Sequence, residues 1–257
     1  MAEEYTGLTG GIVLKIERIG SRGVCFTYED GDAPMGGNIS VYLINTEKRI
    51  FLCDTHTGPK SMDIVKKYIN DNGWGSKELI IFNSHSDWDH IWGNCAFGDA
   101  TIIGHEKTKE RMQERGRYDV ERMSRFHNGE IELKQPNLTF ESILGFEEDE
   151  IEFIYAPGHT IDSSMCFDRK DSVVFAGDLL EHPLPFLNHH DLRAYLHSME
   201  IINSYSAEVI LSAHSGIVNE DLLKGNIDYV RCLLDQGAGG CPDKLHIEAI
   251  VQNHELL

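Results

Sequence analysis

The stretch Ile80-Ile81-Phe82-Asn83-Ser84-His85-Ser86-Asp87-Trp88-Asp89-His90 runs from an unbroken apolar segment into four potential metal-binding side chains within six residues. Leu79–Phe82 reads as a short, fully buried strand. A strand end opening into a polar loop is where an α/β fold places its chemistry. Single residues separate His85, Asp87 and Asp89, so an extended or turning loop can aim all three at one point. Histidine and aspartate at this density suit a borderline-to-hard divalent ion. Alone, the segment is also compatible with a polar turn or a helix cap.

Three further segments repeat the pattern. Glu152–Ala156 runs into Pro157-Gly158-His159-Thr160, Ser172–Ala176 into Gly177-Asp178, and Glu208–Leu211 into Ser212-Ala213-His214. A single histidine or aspartate after a strand is usually a satisfied turn residue. Three of them beside the first cluster point to one site assembled from several strand ends. Two carry a neighbouring glycine that permits close backbone approach.

Short strand-like runs alternate with helical ones along the whole chain. Strands are expected at Ile12–Ile19, Val24–Tyr28, Ile39–Ile44, Arg49–Cys53, Leu79–Phe82 and Thr101–Gly104, then at Ile151–Tyr155, Ser164–Phe167, Ser172–Phe175 and Glu208–Leu211. Helices are expected near 61–70, 105–115, 192–204 and 219–236, with another after Pro242. Two strand-rich halves with helices outside them imply an α/β fold of two sheets face to face, a four-layer αββα sandwich. A chain of 257 residues can hold this as one domain, 1–257.

The 23 basic and 42 acidic residues give a formal charge of −19. Such a field repels nucleic acid and anionic membranes, and no Lys/Arg-rich run offsets it. A small-molecule substrate is the expected partner. No stretch approaches the roughly 18 apolar residues of a membrane span. The N-terminal Met1-Ala-Glu-Glu-Tyr lacks the basic-then-apolar order of a signal peptide. Six cysteines without a CxxC pair read as reduced thiols in a cytoplasmic protein.

In their order along the chain, HxDxDH at 85–90, PGHT at 157–160, GD at 177–178 and AHSG at 213–216 resemble the metallo-β-lactamase superfamily, whose usual first motif is HxHxDH. Cys53-Asp54-Thr55 resembles that family's earlier Asp-Thr motif, and Pro136–Phe140 a stretch common ahead of the PGHT strand. The resemblance runs from about residue 37 to 216. It implies two divalent metal ions, one bound by His85, Asp87 and His159 and the other by Asp89, His90 and His214, with Asp178 bridging. It also implies Asp89 as a catalytic residue and Asp54 as a carboxylate that orients a ligand from behind.

Asp87 departs from the family pattern. Two divalent ions contribute four positive charges, and Asp87, Asp89, Asp178 and a bridging hydroxide remove about four. The added carboxylate weakens Lewis acidity and shifts preference toward oxygen-loving ions, leaving zinc and iron or manganese as the candidates. His182, His189 and His190, in the run that follows Asp178, are candidate substrate contacts. His56 and His105 read as structural or surface residues, and Trp88 and Trp92 as packing around the ligand loop.

The PGHT motif looks hydrolytic, so the expected activity is a hydrolase attacking an ester, lactone, thioester or related bond. The alternative is a diiron protein reacting with oxygen or nitric oxide, since some superfamily members carry a carboxylate at the position of Asp87. Members with reductase chemistry usually need a flavin-bearing domain, which is not expected in a chain ending at Leu257. A degenerate, non-catalytic binding module fits poorly with seven intact candidate ligands.

Replacing Asp87 with histidine should move metal preference toward zinc and, under a fixed metal, lower the pH at which activity rises. Metal content and pH–rate profiles of both forms, reconstituted identically, measure this. Unchanged preference and an unchanged profile would mean that Asp87 does not touch a metal.

Overall fold

The alternating apolar residues of the first fifty positions pair into an antiparallel meander, which then turns parallel where helices begin to separate the strands. The computed structural model describes residues 5–9, 12–30 and 37–237. The first sheet takes its strands in chain order: β1 (Tyr5–Thr9), β2 (Ile12–Ile19), β3 (Gly23–Asp30), β4 (Gly37–Asn45), β5 (Arg49–Cys53), β6 (Glu78–Phe82), β7 (Thr101–His105) and β8 (Leu138–Phe140). Pairing is antiparallel through β5 and parallel from β5 to β8. Parallel neighbours need crossovers. These contain α1 (Met62–Asp71), the single turn α2 (Trp88–Ile91) and α3 (Glu106–Arg122).

The second sheet is also sequential: β9 (Ile143–Phe146), β10 (Ile151–Tyr155), β11 (Ser164–Asp168), β12 (Val173–Phe175), β13 (Val209–Ser212) and β14 (Gly216–Val218). Its one parallel pair, β12 with β13, is bridged by α4 (Leu192–Ser204), and α5 (Glu220–Gln236) follows β14.

Period-two alternation decides the layers. The inner faces meet in one core, with Tyr42, Phe51 and Phe82 of the first sheet against Phe153, Phe175 and Leu211 of the second. Phe82 stacks on Phe153 with ring centroids 4.4 Å apart. On the outer face of the first sheet, Phe26, Leu43 and Leu52 pack on Met62, Val65 and Ile69 of α1. Outside the second, Ile154, Met165 and Val174 pack on Tyr195 and Met199 of α4 and Ile227 and Val230 of α5. The order helix, sheet, sheet, helix is the four-layer sandwich expected.

Several elements differ from the sequence reading. Strands β1, β8, β9 and β14 and the turn α2 were not expected; all five are of three to five residues, too short to display a period. Helix α3 runs to Arg122 instead of about 115, because its buried stripe is Thr108, Met112, Gly116 and Asp119. That spacing is helical but mostly not apolar, so it leaves little hydrophobic signal. The helix expected after Pro242 lies outside the described residues.

The cysteine reading needs correction. Cys25, Cys53, Cys95 and Cys166 are free thiols, whereas Cys232 on α5 is disulfide-bonded. Disulfide formation depends on proximity in space, which the absence of a CxxC pair does not exclude. The inference of a wholly reduced chain therefore fails at Cys232, and Cys241 lies outside the described residues. Among the described residues no helix is long and apolar enough to cross a membrane.

Truncating Phe153 to alanine removes a fully buried ring from the contact between the sheets. The expected cost is about 3–5 kcal/mol, read as a lowered urea midpoint. An unchanged midpoint would show that the sheets do not depend on that ring pair.

Candidate metal centre

Strand direction brings the candidate residues to one edge of the sandwich. β5 and β6 are parallel, and β10 and β12 point the same way because each is antiparallel to β11, with β13 parallel to β12. The C-terminal ends of these five strands deliver Asp54, the His85–His90 segment, His159, Asp178 and His214. Two backbone hydrogen bonds join the sheets at this edge: Ser40 N–H to the Ala213 carbonyl and Ser164 N–H to the Ser84 carbonyl, each 2.8 Å.

Local geometry seats each side chain. The segment expected to be a loop folds as one helical turn, with Asp87 extended at its N-terminus and His90 N–H donating to the Asp87 carbonyl at 3.0 Å. Trp88 stacks on Phe126 at 4.8 Å, and Trp92 is buried beside it, so both indoles pack around this turn. Gly177 has φ +55°, and a Cβ there would lie 2.8 Å from Ser84 Oγ. Gly158 packs on the Tyr195 ring, where a Cβ would lie at 2.2 Å. These two glycines let the backbones carrying Asp178 and His159 approach their neighbours.

All four histidines present Nε2 to the same space because each Nδ1 is occupied elsewhere. His90 Nδ1 donates to Asp54 Oδ2 at 2.8 Å. Ser84 Oγ gives its proton to the same Asp54 oxygen at 2.7 Å, so toward His85 Nδ1, 3.0 Å away, it can only accept. His159 Nδ1 donates to the Phe186 carbonyl at 3.1 Å and His214 Nδ1 to the Asn38 carbonyl at 2.9 Å. Asp54 is fully buried and also accepts Ser84 N–H at 2.8 Å, so one carboxylate orients two imidazoles.

Asp178 Oδ2 is the point of convergence, 3.2 Å from Nε2 of His214, 3.3 Å from His90, 3.5 Å from His159 and 3.6 Å from His85. Asp87 Oδ2 lies 3.6 Å from His85 Nε2 and 3.7 Å from His159 Nε2. Asp89 places Oδ1 3.7 Å from His90 Nε2 and Oδ2 3.4 Å from His214 Nε2. Within each of the sets His85–Asp87–His159, Asp89–His90–His214 and His85–His90–Asp178, potential ligand atoms lie within 4.8 Å of one another. His85 Nε2, His90 Nε2 and Asp178 Oδ1 are buried and make no hydrogen bond. Buried polar atoms normally find a partner. A divalent cation with mixed nitrogen and oxygen donors would supply it, and this donor set fits one.

Without a metal ion, burial and neighbouring charges together set the protonation of the cluster. Burial opposes the charged form of His159, yet its bond to Asp87 and the Asp178 charge push it up to about 9. His214 reaches about 10 against burial, chiefly through Asp178. Burial and the His90 charge hold His85 well below its ordinary value. Asp89 is raised by burial and by Asp178. Asp178 is held low, against burial, by His214 and His90.

The sequence reading places the run 181–190 over the site but singles out only its histidines, and three neighbours go unnamed. Glu181 is buried with Oε1 3.9 Å from His159 Nδ1, and with His159 and Asp178 it forms another group able to hold an ion. Asn188 sets Nδ2 3.3 Å from His159 Nε2. Arg111, on α3, lies 3.5 Å from Asp87 Oδ1. The run 181–190 thus abuts the cluster through Glu181, Phe186 and Asn188. Of its histidines, His182 donates its backbone N–H to Ser215 Oγ, His189 Nδ1 accepts from Asp191 N–H, and His190 is exposed.

His56 and His105 have structural roles. His56 is buried against Tyr28, bonds Ser61 Oγ at 2.8 Å, and is lowered by burial to about 3. His105 caps α3 through Lys107 N–H and stacks on Tyr155 at 3.8 Å.

A family model described as the metallo-beta-lactamase superfamily matches residues 34–214, more than half of the chain. The chain belongs to the metallo-β-lactamase superfamily. Solved structures of similar fold include the DIM-1 metallo-β-lactamase exposed to ceftazidime, with TM-score 0.69 and 18% identity, covering 85% of this chain and 96% of that one. A metallo-β-lactamase from Pontibacter korlensis gives 0.69 at 16% identity, covering 85% and 99%. One from Hirschia baltica gives 0.67 at 14%, covering 84% and 97%. At such identities the likeness concerns the superfamily fold. No curated protein matches the chain.

His159 and His214 carry protons near neutral pH in the absence of metal. Metal uptake by demetallated protein should therefore release at least two protons, seen as buffer-dependent heats in calorimetry. Both pKa values are raised above the ordinary 6.5. Their contribution to the stability of the demetallated chain is complete below that value and disappears as pH rises through about 9 and 10, so its melting midpoint should fall over that window. Buffer-independent heats and a flat midpoint would contradict this electrostatic account.

Proposed function

We propose that this chain is a single-domain, dinuclear metal-dependent hydrolase acting on an ester, lactone, thioester or related bond of a small molecule. The convergence of four Nε2 atoms on Asp178 Oδ2 carries the reading. In it His85, Asp87 and His159 hold one ion, Asp89, His90 and His214 the other, and Asp178 contacts both. Two divalent ions so held, zinc or iron or manganese, would lower the pKa of a water and polarise the scissile carbonyl.

The chain's own groups do the rest. Asp54 keeps His85 and His90 in the tautomer that frees Nε2. Asp89, a partly exposed carboxylate of the set, takes up the proton lost by the attacking water. The partial exposure of Asp87, Asp89 and His214, against the burial of His85 and His90, favours substrate approach from the first three. Asn188 stands at that rim beside His159, and His182, His189 and His190 remain candidate substrate contacts. A field of −19 favours neutral or cationic substrates over polyanions.

Elemental analysis and a visible spectrum of protein purified without added metal, followed by ester, lactone and thioester assays, test the proposal. Two ions per chain with hydrolysis of one of these classes is the expected result. Asp178→Ala should release both ions and abolish turnover. Two ions and full turnover in that variant would remove the central claim, and a diiron spectrum responding to oxygen without hydrolysis would replace hydrolysis with redox chemistry.

A further inference from the structure

Asp87 faces two ways. Its Oδ2 points at Nε2 of His85 and His159, at 3.6 and 3.7 Å, while its Oδ1 lies 3.5 Å from Arg111 Nη2. Arg111 is itself fixed: its Nε lies 2.9 Å from Oδ1 of the fully buried Asp162 and donates to Ser86 Oγ at 3.0 Å. Ser86 is the residue between His85 and Asp87, so the guanidinium grips the ligand segment at two adjacent residues. The helix that carries it is anchored at its start by the His105 cap, and Thr108 Oγ1 donates to the Asp162 carbonyl at 3.4 Å.

We propose that Arg111 is a positioning residue that makes Asp87 serve as a one-atom ligand in the place where the superfamily usually has a histidine. The inference rests on the metal-site reading above. An imidazole offers one donor atom in a fixed direction, whereas a free carboxylate can rotate or bind through both oxygens. Engaging Oδ1 with a guanidinium leaves only Oδ2 for an ion, and restores the single direction. Ser86 Oγ accepts from Nε and, with the Asp162 charge 2.9 Å away, holds the guanidinium with Nη2 toward Asp87. Because Asp162 also shares the positive charge, the effect of Arg111 is mainly directional and only partly a neutralisation of the extra carboxylate. A rigid planar fork is required, and a lysine ammonium would not reproduce it.

The test is a double-mutant cycle on metal affinity in the full chain. Demetallated wild type, Arg111→Met, Asp87→His and the double variant are titrated with Co(II), recording the d–d absorption bands and both stepwise affinities. Arg111→Met should weaken one of the two ions by about 10–100-fold, change the bands of that ion and spare the other. Arg111→Lys should recover only part of the loss. In the Asp87→His background the same Arg111→Met change should have little effect.

Because Arg111→Met strands the buried Asp162 charge, Arg111→Met/Asp162→Asn is titrated as well, with the same result expected from a variant that keeps its fold. Equal losses with aspartate or histidine at position 87, or equal weakening of both ions, would overturn the inference and leave Arg111 as support for α3. Wild type that binds no Co(II) would overturn the metal-site reading itself, an outcome distinct from two bound ions without coupling.

Discussion

The site depends on one constraint: four imidazoles, each tied at Nδ1 to an acceptor outside the cluster, must present Nε2 to a single carboxylate oxygen. The acceptors are unlike one another: Asp54, Ser84, and the carbonyls of Phe186 and Asn38. They come from the first sheet and from the run after Asp178, while His159 and His214 come from the second sheet. The convergence on Asp178 Oδ2 therefore exists only while the two sheets keep their mutual position. The inter-sheet aromatic core and the two backbone bonds at the site edge hold that position. Packing within the sandwich and tautomer control at the site are the same structural fact at two scales.

The electrostatics follow from this arrangement. Asp54, Asp87, Asp89, Asp178 and Glu181 stand in or against the cluster, balanced by four histidines and Arg111. Low exposure strengthens each interaction and makes any unpaired charge costly. The same crowding sends two aspartates in opposite directions, Asp178 held low by His214 and His90 and Asp89 raised by burial and Asp178. Carboxylates of identical chemistry are thereby given different proton affinities in the metal-free cluster.

Much of this was legible in the sequence. Strand ends followed by His or Asp recur at 85–90, 159, 178 and 214, and the apolar runs before them have the length and β-branched content of buried strands. Those signals are local, since period-two burial and strand-to-loop transitions are written in consecutive residues. They determined the four-layer fold class and which histidines and aspartates stand as candidate ligands. Asp54 was legible too, through the short motif after β5.

What the tertiary structure alone decided is how those residues face one another. Which nitrogen of each histidine is free, and which oxygen of Asp87 meets Arg111, depends on partners up to 176 positions away in the chain, as for His214 and Asn38. Arg111 lay hidden because α3 is polar almost throughout, so a residue turned toward the site looks the same as one turned toward water. Glu181 and Asn188 were hidden in a connection whose histidines drew attention instead, and the bonding of Cys232 left no spacing signal. Residue identity and local period determine which elements form and what they carry. Directions of single atoms are set by packing between distant segments, where the energy of a hydrogen bond or ion pair depends on distance and angle and not on sequence separation.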